Sequence, residues 1–184
     1  MNTNKLKLKN RMIKSFFLLI VAGGVVGCQP RPEPLTEAQQ GQAYAVAIED
    51  FFSRTAWQTR GKWEAIFVSP TLANWSYKGR LLRGGTTPEA ILTALKQFAP
   101  EVKLGDINTA RTHGKPTKFH RRDVTLNLPA HVALFTFGRI ILDDDGRFHL
   151  MIRYYFSDRD TREYEYILTY SDGRWTILNR TERG

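Results

Sequence analysis

The chain has 184 residues, a net charge of +9 and a single cysteine. One cysteine excludes an intrachain disulfide, and the four histidines lack the spacing of metal ligands, so no metal site is predicted. Five of the 27 basic residues lie within the first 14 positions, and the rest of the chain carries only +4. A charge of that size does not indicate a nucleic-acid-binding protein.

The N-terminal segment has the layout of a secretory signal peptide. A basic head precedes an apolar run of 12 residues at 16–27, and about 20 residues are needed to cross a bilayer as a helix. The ending "VVGC" resembles the lipobox of bacterial lipoprotein precursors. The resemblance implies cleavage before Cys28, whose sulfur would carry diacylglycerol and whose amine would take an acyl chain such as palmitate. An ordinary signal peptide or an N-terminal membrane anchor is the alternative.

Three prolines follow the cysteine, in the sequence "QPRPEP". Alternate prolines favour an extended, semi-rigid spacer, which would hold a folded domain off the membrane. The sequence therefore predicts a signal peptide at 1–27, a lipidated tether at 28–35 and one domain at 36–184. By the same resemblance Gln29 implies sorting to the outer membrane in a Gram-negative host, so a lipid-anchored protein of the bacterial cell envelope is expected.

The first part of the predicted domain is mainly helical. Apolar residues recur at spacings of three to five between 36 and 55, with Thr36 as N-cap. Three further elements are predicted: a short helix at 60–70, one strand at 73–85 that ends in glycines, and a helix at 87–99. Thr87 is expected to cap this last helix, with Pro88 at its first position.

Beyond Pro100 the apolar period changes to two, which is typical of strands. The predicted strands lie at 102–112, 117–128, 131–142, 147–157, 162–171 and 174–181. Turn sequences separate the last four, "DDDG", "SDRD" and "SDG", and they predict an antiparallel meander.

The loop lengths also predict the register of this meander. A three-residue loop at 158–160 would place Tyr154 opposite Tyr164, and Arg153 opposite Glu165 on the other face. A two-residue aspartate-glycine turn in the last hairpin gives the same aromatic face.

Helices followed by a long antiparallel sheet predict an α+β fold. The chain resembles the nuclear transport factor 2-like superfamily, which includes ketosteroid isomerases and polyketide-cyclase-like proteins. The resemblance rests on "GKWEAIFVSPTLANW", on the Gly-Gly before the helix at 87–99, on "HVALFTF" and on "YEYILTYSDGRWTILNR"; the stretch 112–123 departs from it. It implies a cone in which helices and a curved, mainly antiparallel sheet enclose a pocket.

One face of the predicted meander carries aromatic and amide side chains that would line this pocket. Buried hydroxyl and amide groups need hydrogen-bond partners, which an amphipathic ligand would supply. Plain core packing is the alternative. The candidate pocket residues are Tyr154, Tyr164, Tyr166, Trp175 and Asn179.

The catalytic carboxylate of the isomerases does not carry over to this chain. Glu163 and Glu165 fall on the face opposite the predicted pocket. Three other carboxylates, Glu64, Asp106 and Asp123, could reach inward, but no pattern directs them there. No cofactor and no catalytic residue is predicted.

A basic stretch at 113–122 is the remaining candidate contact surface. Its members Lys115, Lys118, Arg121 and Arg122 would suit anionic lipid headgroups or cell-wall polymer, and a solvated loop is the alternative. The sequence thus predicts a non-catalytic envelope protein that binds a small amphipathic ligand, a protein or an envelope polymer. The alternatives are an isomerase- or cyclase-like enzyme and a subunit of an envelope assembly. A homodimer would use the outer sheet face with Met151, Ile167 and Leu178.

Overall fold

The computed structural model describes residues 34–54, 63–114, 128–129, 131–157 and 160–183. The predicted signal peptide, most of the predicted tether and the basic residues Lys115, Lys118, Arg121 and Arg122 lie outside the described residues. The described helices are α1 (Glu37–Arg54), α2 (Glu89–Leu95) and α3 (Ile107–Arg111). The described strands are β1 (Ala65–Val68), β2 (Trp75–Tyr77), β3 (Arg80–Leu82), β4 (Glu101–Leu104), β5 (Val132–Phe137), β6 (Ile141–Leu142), β7 (Phe148–Ser157), β8 (Asp160–Ser171) and β9 (Arg174–Arg183).

Helix α1 begins as predicted, at a reciprocal cap. The Gln39 backbone N–H donates to Thr36 Oγ1 at 3.2 Å, and the Thr36 N–H donates to Gln39 Oε1 at 2.9 Å. Two of the free N–H groups of the first turn are thereby satisfied. Ala43, Ala47 and Phe51 then lie fully buried on one face, which confirms the helical spacing.

The helix predicted at 60–70 is wrong where the structure describes it. Residues Ala65–Val68 form strand β1, and all four side chains are buried. The strand is parallel to β4 on one side and to β5 on the other, and its alternate side chains belong to two different apolar layers, so both of its faces are covered. A short apolar run of this kind has no period by which a strand could be told from a buried helix.

Three other predicted elements are divided in the structure, and one of them is the strand predicted at 131–142, which forms β5 and β6. The strand predicted at 73–85 is the hairpin β2–β3, whose turn residues Lys78 and Gly79 have φ values of 48° and 75°. The strand predicted at 102–112 ends at Leu104 and gives way to α3. Asp106 caps α3 by accepting from the Thr109 N–H at 2.8 Å, and this hydrogen bond lowers the pKa of the Asp106 carboxyl.

Helix α2 begins one or two residues later than predicted. Thr87 does not cap it, because the Thr87 hydroxyl donates to the carbonyl of Ser69 at 2.6 Å. Pro88 occupies the N-cap position, and the helix runs from Glu89 to Leu95.

In the described part of the chain, seven strands form one mixed sheet in the order β4-β1-β5-β7-β8-β9, with β6 paired to β7. The pairs made by β1 are parallel and the others are antiparallel, so the meander of the last four predicted strands is confirmed. With helices α1 and α2 packed on one face, the fold is α+β, as predicted. Among the described strands, β4 and β9 form the two edges of this sheet.

The predicted register between β7 and β8 is wrong by two residues. Tyr164 pairs with Ile152, and Arg153 pairs with Glu163, whose carboxylate accepts from the Arg153 Nε–H at 2.9 Å. The connection is tighter than expected, since Ser157 already pairs with Asp160. A shift of two leaves every side chain on its predicted face.

The last hairpin has the predicted two-residue turn, but its second strand contains a β-bulge. Asp172 and Gly173 have φ values of 52° and 74°, as a type I′ turn requires. Leu168 pairs with Ile177 whereas Ile167 pairs with Asn179, so one residue of β9 is extra. Beyond it the faces are exchanged. Asn179 is therefore exposed rather than on the helix-covered face, and this prediction is wrong.

Two apolar layers cover the sheet. The larger one lies between the sheet and helices α1 and α2, and its centre is Phe51. The rings of Phe135, Tyr154 and Tyr164 meet Phe51 edge to face, with centroids 5.4, 5.4 and 5.7 Å away. The smaller layer lies on the other face, where α3 packs on β1 and β5.

The outer sheet face is partly covered by the chain itself. Met151 is fully buried. Gly138 lies against both Met151 and Trp75, because a β-carbon at Gly138 would come within 3.0 Å of each. Of the residues expected on a dimer surface, only Leu178 is more than half exposed, at 54%.

We expect Phe51→Ala to lower the free energy of unfolding by about 3–5 kcal/mol, because it removes the ring on which three sheet aromatics pack. Glu49→Ala is the control, since Glu49 is exposed on the same helix. Urea unfolding followed by tryptophan fluorescence measures both. Equal losses in the two variants would contradict the packing described.

Candidate functional site

The tyrosines of the predicted pocket face meet beside helix α1. The rings of Tyr154 and Tyr164 are nearly parallel with centroids 6.3 Å apart, and Tyr166 is fully buried next to them. Phe51 of α1 fills the space above Tyr154 and Tyr164. Packing against Phe51 therefore explains why these rings are buried. Any chemical role of this sheet face must come from its polar side-chain atoms.

Three polar atoms at one end of this face are buried and have no hydrogen-bond partner among the described residues: Tyr166 Oη, Asp50 Oδ2 and Arg180 Nη1. We call them the Asp50–Tyr166–Arg180 cluster. Asp50 Oδ2 and Arg180 Nη1 are 3.8 Å apart, which is an ion pair but too long for a hydrogen bond. Leaving a buried polar group unpaired costs about 1–3 kcal/mol, so three at one point indicate a site.

Each member of the cluster is held in place by a neighbour. The other carboxylate oxygen of Asp50 accepts from Arg54 Nε at 2.6 Å. The guanidinium carbon of Arg180 lies 5.0 Å from the centre of the Tyr164 ring, a cation–π contact. Arg180 also lies directly opposite Tyr166 in the pairing of strands β8 and β9.

Burial raises the pKa of the Tyr166 hydroxyl far above its ordinary value of 10.0. Proximity to the Arg180 guanidinium opposes this effect, through hydrogen bonding as well as charge, and proximity to the Asp50 carboxylate adds to it, so the net result is a raised pKa. The hydroxyl therefore stays protonated at neutral pH and is available as a hydrogen-bond donor.

A second tyrosine hydroxyl of this face is already paired. Tyr164 Oη donates to Glu182 Oε2 at 3.2 Å, and Glu182 also accepts from Arg162 Nη1 at 3.1 Å. Burial and the Glu182 charge raise the pKa of Tyr164.

Trp175 does not join the cluster. It lies near the turn end of β9, where its ring meets Phe148 and Tyr170 with centroids 4.9 Å away in each case. The five candidate pocket residues thus divide into a tyrosine group, Trp175 at the other end of β9, and the exposed Asn179.

The carboxylates considered in the sequence have other contacts. Glu163 and Glu165 lie on the outer face, as predicted, where Glu163 binds Arg153. Asp106 caps α3, and the Glu64 side chain is 64% exposed. Asp123 lies outside the described residues.

Asp50 and Arg180 were missed by the sequence analysis. Asp50 follows Ala43 and Ala47 at helical spacing, and this position was a signal that its carboxylate faces the core. Arg180 had no such signal, because only the bulge in β9 turns it inward.

A second polar cluster lies on the outer face, around the buried His149. His149 Nδ1 lies 2.9 Å from Glu165 Oε1, and His149 Nε2 lies 2.9 Å from Asp143 Oδ2 and 3.0 Å from the Tyr77 hydroxyl. Glu165 also accepts from Arg183 Nε at 2.9 Å. Because Tyr77 belongs to the hairpin β2–β3, its hydrogen bond with His149 connects the hairpin to the sheet.

Of the basic stretch, only His113 and Gly114 are described. The ring of His113 packs on Phe67 with centroids 5.4 Å apart, and its Nε2 lies 3.4 Å from Glu101 Oε2. Its side chain is only 15% exposed, so His113 belongs to the fold rather than to a solvated loop.

The described residues contain no group of three or more side chains that could hold a metal ion. Within the same residues, no helix has the length and apolar character to cross a membrane.

Comparisons with protein-family models, with curated proteins and with solved structures found no match to this chain.

We expect Asp143→Asn to reduce the acid sensitivity of the fold. Burial alone would raise the pKa of Asp143, but hydrogen bonds from His149 and from the backbone N–H groups of Arg147 and Asp145 outweigh it and lower this pKa. A lowered folded-state pKa stabilises the fold above the ordinary carboxyl value, and this stabilisation is lost as the pH falls through the lowered value.

The measurement is the free energy of unfolding between about pH 5 and about pH 2. Wild type should lose more stability over this range than Asp143→Asn. The exposed neighbour Asp144 is the matched control, and Asp144→Asn should keep the wild-type dependence. An unchanged slope in Asp143→Asn would show that the His149 cluster does not couple to Asp143 as described.

Two buried tyrosines should respond differently to loss of the hydroxyl. Tyr44 Oη donates to the Gly138 carbonyl at 3.0 Å, so Tyr44→Phe should cost about 1 kcal/mol of unfolding free energy. Tyr166→Phe should not lower it and should raise it by up to about 1–3 kcal/mol, because a buried hydroxyl without a partner is removed. Chemical unfolding measures both, and an equal loss in Tyr166→Phe would mean that its hydroxyl is already paired.

Proposed function

We propose that this chain is a lipid-anchored protein of the bacterial cell envelope whose α+β domain binds a small amphipathic ligand without chemical conversion. The lipobox-like "VVGC" at 25–28 and the proline-rich segment after it support the anchor. By the resemblance given above, the domain would be of the nuclear transport factor 2-like type and Cys28 would carry the lipid, with the outer membrane as the destination in a Gram-negative host.

The nuclear transport factor 2-like assignment is supported by the arrangement of layers. Helices α1 and α2 pack on one face of a sheet whose long strands β7, β8 and β9 form the predicted meander. In such a fold the ligand enters between the helices and this face, where α1 contributes Asp50.

The ligand proposal rests mainly on one observation, the Asp50–Tyr166–Arg180 cluster. Its polar atoms are buried without hydrogen-bond partners at the end of an aromatic face, so the polar end of a ligand would form hydrogen bonds there. The cluster also reaches the surface, since the side chains of Asp50 and Arg180 are 11% and 21% exposed.

The isomerase- or cyclase-like enzyme is the second candidate, because the cluster holds a carboxylate and a tyrosine in one place. Its general base would have to be Asp50. That carboxylate already accepts from Arg54 at 2.6 Å and faces Arg180, which suits it to orienting a ligand more than to removing a proton. We therefore favour binding.

Partners beyond the ligand remain part of the proposal. The basic residues Lys115, Lys118, Arg121 and Arg122 would contact anionic lipid headgroups or envelope polymer near the membrane. An assembly subunit or homodimer would have to use Leu178 and its exposed surroundings, since Met151 is covered.

The test is mass spectrometry of the full-length gene product purified from the membranes of a Gram-negative host. Under denaturing conditions we expect a chain that begins at Cys28 and carries two or three acyl chains, and Cys28→Ser should abolish both cleavage and acylation. An unmodified cysteine in the wild-type protein would refute the anchor.

Native spectra of the same preparation test the ligand. We expect a discrete non-covalent mass that is reduced in Tyr166→Phe and unchanged in Tyr155→Phe, which alters the opposite face of the sheet. Spectra without any bound mass, even after incubation with envelope lipid extract, would count against ligand binding.

A further inference from the structure

We infer that the group recognised by the Asp50–Tyr166–Arg180 cluster is a hydroxyl, so that the ligand is an amphipathic alcohol. This inference rests on the proposed function and names the chemistry of its ligand. It follows from the kinds of polar atom that converge in the cluster.

The cluster contains two donors and one acceptor. Tyr166 Oη and Arg180 Nη1 each have a hydrogen to donate, and Asp50 Oδ2 can only accept when ionised. One hydroxyl oxygen accepts two hydrogen bonds and donates one, so it satisfies all three atoms at once. The 3.8 Å between Asp50 Oδ2 and Arg180 Nη1 lets both lie about 2.8 Å from a common oxygen.

Other polar groups satisfy the cluster less well. A carboxylate would accept from Arg180 and Tyr166 but would place its charge against Asp50. An amine would repel Arg180. An ether or a ketone has no hydrogen to donate, and it would leave Asp50 Oδ2 buried without a partner.

The experiment compares three probes of similar length on the full-length protein in lipid nanodiscs: hexan-1-ol, methyl pentyl ether and hexanoate. Hexan-1-ol and methyl pentyl ether have the same heavy atoms, but only hexan-1-ol has a hydroxyl hydrogen to donate. Binding is measured as the rise in thermal unfolding midpoint with probe concentration. Empty nanodiscs and Tyr155→Phe correct for partition of the probes into lipid.

We expect hexan-1-ol to bind at least tenfold more tightly than the ether or hexanoate, because a site built for a hydroxyl rejects analogues without one. Tyr166→Phe should weaken hexan-1-ol binding about tenfold, and the weaker binding of the ether should fall as well, because both oxygens accept from the Tyr166 hydroxyl. Tyr155→Phe should leave both unchanged.

The outcomes separate the two proposals. Equal binding of all three probes would overturn the hydroxyl but leave amphipathic-ligand binding in place, with a fixed water as the partner of the cluster. Preference for hexanoate would overturn the hydroxyl in favour of an anion. Binding of none of the probes would overturn the hydroxyl inference, and together with native spectra that lack a bound mass it would overturn the proposed function as well.

Discussion

The contact of Phe51 with three aromatic rings of the sheet determines where helix α1 lies, and the candidate site depends on it. Edge-to-face packing fixes both the distance and the rotation of the helix relative to β5, β7 and β8. Asp50 precedes Phe51, so the same packing sets where its carboxylate points. A helix free to rotate would carry Asp50 to solvent, where water satisfies it, and no polar site would exist.

The bulge in β9 is the complementary constraint from the sheet. In a regular strand every second side chain points to the same face, so Asn179 would face inward together with Trp175 and Ile177. One extra residue reverses this alternation and brings Arg180 to the helix-covered face, opposite Tyr166. Bulges commonly redirect a side chain in this way. The site therefore depends on two features: packing fixes the rotation of helix α1, and the bulge reverses the inward–outward alternation of side chains in β9.

Much of the fold could be predicted from local patterns, and the errors have physical causes. Thr36 with Gln39 and the aspartate-glycine turn at 172–173 are governed by neighbouring residues, so the sequence showed them. Strand β1 has no period because both its faces are buried. The inward position of Arg180 depends on pairing between strands, which no window of β9 contains. The sequence therefore predicted the tyrosines of the site but not Asp50 and Arg180.

The position of β9 at the sheet edge has a consequence for the behaviour of the protein in concentrated solution. Among the described residues no strand pairs with the free side of this ten-residue edge strand, so its backbone groups could serve as a template on which other chains add as strands and aggregate. The bulge interrupts that template, and the arginines near its two ends, Arg174 and Arg183, discourage approach of an identical edge. Substitutions that straighten β9 or neutralise these arginines would alter solubility as well as the interior, so the two effects have to be separated by measuring aggregation alongside stability.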